Sequence, residues 1–277
     1  MRIRLRIGAA VLGALAAAVA LLWATPFLWM LVASLRADSF GSLDMASLLP
    51  PRSPSFANFR AAWDAGDFPV YYLNTLIVVL GTLSVQLVTI SLAGYAFARL
   101  RFWGRDVLFY LFLLQLMIVP PVLILPNLKT VIALGIDNRL LGVMAPYFAS
   151  AFGTFLMRQT FRSLPRDFED AAEIDGASLL QRLRYVLLPL ARPALAAFAI
   201  VSVVAHWNEF LWPLIVINSP GERTLTLGLA SVLGGAEGAA QWGLIAAATL
   251  LVSAPLLAAF LAFQRQFVDS FVFSGIK

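Results

Sequence analysis

The stretch "EDAAEIDGASLLQRLRYVLLP", residues 169–189, decides how the rest of the chain is read. Five carboxylates, Asp167, Glu169, Asp170, Glu173 and Asp175, fall within nine residues around its start, and arginines flank the segment on both sides. Its punctuation is that of two helices and a turn. Pro165 suits the first turn of a helix, where its missing N–H costs nothing. Asp167, Glu169 and Asp170 then sit near the positive end of the helix dipole, where carboxylates are stabilising. Phe168, Ala171 and Ala172 recur at i, i+3 and i+4 and give a narrow apolar stripe. Gly176 suits a left-handed stop, and Ser178 with Gln181 has the spacing of a capping box that opens a second helix. Leu179, Leu180, Leu183, Val186 and Leu187 keep helical periodicity, and Pro189 and Pro193 mark the end of the segment. A merely solvated loop needs neither caps nor apolar stripes. The pattern reads as a helix–turn–helix shaped to plug into a partner.

The surrounding chain is of a different character. Of its 277 residues 61% are hydrophobic and only 13% charged, with a mean hydropathy of +0.85, whereas soluble domains carry about 25% charged residues. This composition predicts an all-α integral membrane protein. A helix needs roughly 20 apolar residues to cross a ~30 Å hydrocarbon core. Charge-free windows occur at 7–35, 68–98, 107–128, 140–157, 193–208 and 238–264, the fifth continuing past Glu209 to Ile217. Six transmembrane helices are expected. The first run follows Arg2, Arg4 and Arg6 as in a signal peptide, but it is much longer than an h-region of about 7–15 residues, so an uncleaved helix is expected. With six spans both termini share a side, and that side holds 14 of the Lys and Arg residues against 6 on the other. The positive-inside rule places both termini and the 158–192 loop in the cytoplasm. Outside lies the irregular segment 36–67, with a short helix expected at 56–65.

Several function classes are excluded. The chain has no cysteine, so neither disulfides nor thiolate metal sites are available. Its basic residues are spread rather than gathered, which argues against nucleic acid as a partner. No G-x-x-x-x-G-K-[ST] phosphate loop occurs, so this chain is not expected to bind or hydrolyse ATP. One histidine and no G-x-S-x-G elbow leave little for a hydrolytic membrane enzyme.

A second polar cluster, "HWNEFLWP" at 206–213, falls in the fifth window. A helix begun at Pro193 and rising ~1.5 Å per residue puts Glu209 about 24 Å from the inner edge, in the outer part of the span. A carboxylate in the bilayer costs on the order of 2.5–3.5 kcal/mol on insertion scales, so Glu209 is expected to face water or protein. One reading gives the cluster to contacts with another subunit, and two more stand open. Either Glu209 reaches the outer interface with Trp207 and Trp212 as anchors, or Asn208 and Trp212, four apart on one helical face, line a path beside Glu209. In the second reading the amide bonds sugar hydroxyls and the indole covers a pyranose C–H face. His206 and Glu209 have helical spacing for two metal ligands, but a site needs three or four, and no metal is expected. Pro120, Pro121 and Pro126 interrupt the third window and predict a kink.

The segment "DAAEIDGASLLQRLRYVLLP" resembles the EAA loop of the membrane subunits of ABC importers, whose pattern is E-A-A, three residues, G, nine residues, I, one residue, L-P. Asp170, Ala171 and Ala172 precede three residues and Gly176; nine residues later comes Val186, then Leu188 and Pro189. Asp170 stands where the pattern has Glu, one methylene shorter, which puts Glu169 and Glu173 forward as sharers of its role; Val186 stands for Ile. "YYLNTLIV" (71–78), "FASAFGTFLMRQTFRSLP" (148–165) and "WNEFLWPL" (207–214) are similar to carbohydrate-uptake permeases of the maltose-permease G-subunit type. The resemblance implies a MetI-like core in helices two to six. It divides the chain into a first helix and external loop (1–67), a transmembrane permease domain (68–264) carrying the coupling loop 163–189, and a cytoplasmic tail (265–277). It further implies a permease subunit of an ATP-driven importer in a bacterial inner membrane. Its partners would be a second permease, two copies of an ATPase that holds the ATP and Mg, and an external solute-binding protein. The coupling residues would be Glu169, Asp170, Ala171, Ala172, Glu173, Asp175, Gly176, Val186, Leu188 and Pro189. A stand-alone secondary transporter or channel is the rival, but it calls for several intramembrane charges and repeated halves.

Overall fold

The structure, a computed structural model, describes residues 2–36, 51, 53–234 and 241–275. The described residues are helical throughout, joined by turns and short 3-10 segments, as expected where backbone polar groups cannot be left to lipid. The chain divides into two compact units, Met1–Phe68 with Gly228–Pro255, and Pro69–Leu227 with Leu256–Lys277.

In the first unit, α1 (Arg2–Ser34) carries an apolar window with no buried residue, and Trp23, Leu22 and Phe27 stand exposed along it. Helix α2 (Ala57–Asp64) lies inside the expected 56–65; the part of the irregular segment at 37–50 falls outside the described residues. From α2, Asn58 Nδ2 donates to the carbonyl of Ser34 (3.1 Å), the last residue of α1, and to that of Arg36 (2.6 Å) just beyond it. Ala62 packs on Ala247 and Ala248, small side chains that let helices approach closely.

The second unit is organised on α3 (Phe68–Arg99), whose 32 residues span about 48 Å. One core cluster joins Ile90 and Tyr95 of α3 to Met157, Phe161, Leu183, Leu187 and Phe198. Another joins Val78 to Val131, Val143, Trp212, Val216 and Leu227. A Cβ at Gly94 would sit 2.6 Å from Met157 Cβ and 3.1 Å from the Arg158 nitrogen, so glycine is what allows α3 to lie against its neighbour.

Between α3 and residue 242 the apolar windows are broken rather than continuous. Helix α4 (Arg105–Leu113) ends in a 3-10 turn, Leu114–Met117. The chain then turns 107° at Ile118 and Val119, and the 3-10 turn Pro120–Leu123 runs on into α5 (Ile124–Ala133). The expected kink is therefore a full break. Pro120 and Pro121 remove two donors in succession and forbid a continuing ladder. Helix α6 (Leu140–Met144), with its 3-10 extension Ala145–Tyr147, meets α7 (Ala151–Ser163) at 43°. The carbonyls freed at that bend are taken by α3: Gln86 Nε2 donates to Tyr147 O and the Thr89 hydroxyl to Phe148 O, each at 2.7 Å. After α8 (Asp167–Ile174) come α9 (Leu179–Gln181), a π segment (Arg182–Leu187) and α10 (Leu188–Leu190), set 78° from α11 (Arg192–Trp207). Helices α12 (Leu211–Val216), α13 (Leu225–Gly234) and α14 (Trp242–Gly275) complete the order.

Three helices are long and apolar enough to cross a membrane, Leu12–Ser34, Phe68–Arg99 and Trp242–Ala262, and up to six spans result if each bent pair is one. This is a multi-pass membrane protein. Gly94→Ala is expected to lower the apparent Tm in detergent, since overpacking costs about 1–3 kcal/mol. Gly13→Ala, where a Cβ meets nothing within 4 Å, is expected to leave it unchanged. Equal melting of the two variants would contradict this account of the α3 contact.

Candidate functional site

The acidic segment forms the two helices and turn that its sequence spells. Asp167, Glu169 and Asp170 occupy the first turn of α8. Pro165 stands just ahead of the N-cap Arg166 rather than inside the first turn. At the other end Gly176 adopts φ +80°, the left-handed conformation that side chains disfavour. Gly176 N–H donates to Glu173 O (3.0 Å) and Ala177 N–H to Ala172 O (2.9 Å), the paired bonds of a Schellman stop. Ser178 and Gln181 then close a reciprocal capping box. The second helix departs from α geometry at Arg182–Leu187 because Pro189 has no N–H to return to the preceding turn. Leu183 and Leu187 of this π segment are buried in the core, Val186, Leu188 and Pro189 are half-buried, and Leu179 and Leu180 stay exposed.

The five carboxylates divide by environment. Glu169 is buried, with Arg99 Nε at the end of α3 only 2.6 Å from its Oε1. The N–H is not aimed at that oxygen, so the contact holds by charge rather than by an aligned hydrogen bond. Arg99 Nη2 also donates to Leu164 O at 2.8 Å, which ties the ends of α3, α7 and α8 to one guanidinium. Glu173 pairs with Arg182 of the π segment. Asp167, Asp170 and Asp175 face outward beside Phe168, Ala171 and Ile174, the last 87% exposed, while Ala172 is half-buried. The segment thus has an inner side that fixes it to α3 and an outer side of alternating acid and apolar groups. Behind it Arg158 of α7 donates to Phe97 O (3.3 Å), lies 4.0 Å over the Phe109 ring and 3.8 Å from Asp106 Oδ1.

The second cluster is built differently from its expected form. Helix α11 ends at Trp207, and Asn208 caps it with its own Nδ2 on Val204 O (2.8 Å). Residues 208–210 are non-helical before α12 begins. Asn208 and Trp212 therefore do not share a helical face, and Glu209 lies in a break instead of inside a helix. The break leaves polar groups that side chains satisfy: Glu209 Oε1 accepts the Trp212 N–H (3.3 Å) and Glu209 O accepts the Thr226 hydroxyl (2.7 Å). Trp212 is buried, its Nε1 donating to Val143 O at 3.2 Å. His206 contacts Gln86 Nε2 at 3.3 Å and the Tyr147 ring at 4.7 Å between centroids.

A cavity of about 240 Å³ opens where this break meets the one before α5. Glu209 and Trp212 line it, as do Gln115, Asn127, Tyr147 and both residues of the Pro120–Pro121 pair; Asn208 does not. Arg99, Gln115, Asn127 and Tyr147 were not among the residues expected from sequence. Arg99 had a visible signal, since it closes the charge-free window 68–98.

Residues 90–271 match the family of binding-protein-dependent transport system inner membrane components. The chain belongs to that family. It is a permease component rather than an ATPase subunit. Its relatives include the sn-glycerol-3-phosphate transport system permease protein UgpE of Pectobacterium atrosepticum, 35% identical over 81% of this chain and 82% of the relative. The arabinooligosaccharides transport system permease protein AraQ of Bacillus subtilis is 30% identical over 94% and 92%. The lactose transport system permease protein LacG of Rhizobium radiobacter is 31% identical over 88% of each chain. A crystal structure of a bacterial ABC transporter involved in importing the acidic polysaccharide alginate shares the fold with TM-score 0.81 at 23% identity, covering 94% of this chain and 96% of that one.

Glu169→Ala strands a buried guanidinium, a loss of about 3–5 kcal/mol, whereas Asp170→Ala on the exposed side is expected to stay within about 0.5 kcal/mol. Apparent Tm values in detergent would separate the two. A Glu169→Ala protein as stable as the parent would show that Arg99 finds another partner.

Proposed function

We propose that this permease component serves an ATP-driven importer of a carbohydrate, and that α8 is the element gripped by the ATPase. The observation that carries the reading is the outward side of α8. Ile174 is 87% exposed beside Asp170 and Asp175, while Glu169 and Glu173 are turned to arginines of this chain. A large apolar side chain among acids on a helix fixed at both ends is a rigid plug, and rigid elements transmit domain motion. The relatives that carry oligosaccharide names, AraQ and LacG, support the carbohydrate class.

In this reading the chain crosses the membrane six times, counting each bent pair as one span, with both termini in the cytoplasm of a bacterium. The 14-to-6 distribution of Lys and Arg supports that orientation. The chain works beside a second permease, two ATPase copies that bind ATP and Mg, and an external solute-binding protein. Alternating access then comes from rocking of the two permeases. Asp170, Ala171 and Asp175 touch the ATPase, while Gly176, Val186, Leu188 and Pro189 keep the plug in position.

Purification of the tagged protein in mild detergent is expected to bring down an ATPase and a second, different permease. Ile174→Asp and Asp170→Lys are expected to remove the ATPase from that complex and to cut uptake at least tenfold without lowering the apparent Tm. An ATPase that stays bound to both variants would refute α8 as the docking element.

A further inference from the structure

We infer that the cavity between the two helix breaks receives an uncharged, polyhydroxylated unit, a single sugar ring or polyol, and rejects substrates carrying phosphate or carboxylate. The inference rests on the importer reading and narrows its substrate class. Irregular backbone is tolerated at membrane depth only where it is buried in protein or lines a cavity. Here the breaks at 118–119 and 208–210 both lie at the same cavity, with Ile118, Pro120 and Glu209 on its wall. Paired breaks of this kind are how transporters expose polar groups to a substrate inside apolar helices.

The lining then selects by charge. Gln115, Asn127 and Tyr147 supply neutral donors and acceptors, Trp212 supplies an aromatic edge, and Glu209 is the one formally charged group among the described lining residues. Hydroxyls can donate charge-assisted hydrogen bonds to that carboxylate. A phosphate or uronate would meet it as a like charge, with neither Lys nor Arg among the described lining residues to compensate. At about 240 Å³ the space is smaller than common small-molecule sites, which run ~300–1,000 Å³, so it holds one small unit at a time. The relatives do not make this choice, because the sn-glycerol-3-phosphate permease at 35% identity and the lactose permease at 31% are similarly distant.

The test uses the complete importer, with both permeases, ATPase and binding protein, in proteoliposomes charged with ATP. The probes are lactose, an arabinose disaccharide, a hexitol, glycerol 3-phosphate and a uronate disaccharide. Uptake of at least one neutral probe and exclusion of both anions are expected. Glu209→Gln, which keeps an acceptor oxygen for the Trp212 N–H, is expected to cut that uptake at least tenfold. Gln115→Leu, at an exposed position, is expected to cut it several-fold while leaving the apparent Tm unchanged. Import of an anionic probe, failure of every neutral one, or full uptake by both variants would overturn the assignment. If the ATPase co-purifies in such a case, the importer reading stands and only the charge selection fails; uptake without ATP would remove both.

Discussion

Inside hydrocarbon no water is at hand to complete a backbone hydrogen bond, and this requirement governs both the helices and the places where they stop. Where the ladder is intact the chain satisfies itself. Where proline or a polar cluster interrupts it, side chains step in: Gln86 and Thr89 of α3 for the carbonyls beyond α6, Thr226 and the local Glu209 between α11 and α12. Near the next turn Asn74 donates to the carbonyls of Gly221 and Arg223 at 2.8 and 3.0 Å, and the Thr75 hydroxyl accepts the Leu225 N–H. These polar residues of α3 explain why a helix so apolar keeps amides and hydroxyls on its buried face. They are the partners that let neighbouring helices be discontinuous, and discontinuity is what leaves room for a cavity.

The same economy appears in the acidic segment. In the proposed reading the segment transmits force, and such a plug has to be stiff where it joins the membrane helices and free where it meets its partner. Burying Glu169 against Arg99 supplies the first condition, because neither charge can leave the contact without stranding the other. Leu183 and Leu187 sink into the core beside Met157 and Phe161 and anchor the second helix. The Schellman stop at Gly176 and the capping box at Ser178 fix the angle between the two helices with backbone and short side-chain bonds. Freedom is confined to the outward groups of α8.

How much of this was legible in the sequence follows the range of the interactions. Gly176, Ser178 and Gln181 act on neighbours within a few residues, so their roles could be read directly, as could the apolar composition of the spans. Pro120 and Pro121 announced an interruption but not its 107° size, which depends on what α5 packs against. The end of α11 at Trp207 carried no proline or glycine signal, and periodicity ran the helix through Glu209. The division of the carboxylates was invisible for a different reason. Glu169 and Asp170 are adjacent and chemically alike, and only the approach of α3, which ends far away in sequence, turns one inward and leaves the other outside.

In the proposed orientation Arg99 and Arg158 belong to the basic residues that set the direction of the spans, yet in the folded chain each is held close to an acid made before or after it. For Arg99 synthesis separates these two uses in time. Arg99 leaves the ribosome well ahead of Glu169, so it carries an uncompensated charge while α3 is being inserted, and the rule that orients membrane helices reads it in full. Once α8 arrives the charge is neutralised in place. The guanidinium is first an address label and later a rivet, and the order of the two duties is written in the distance between them along the chain.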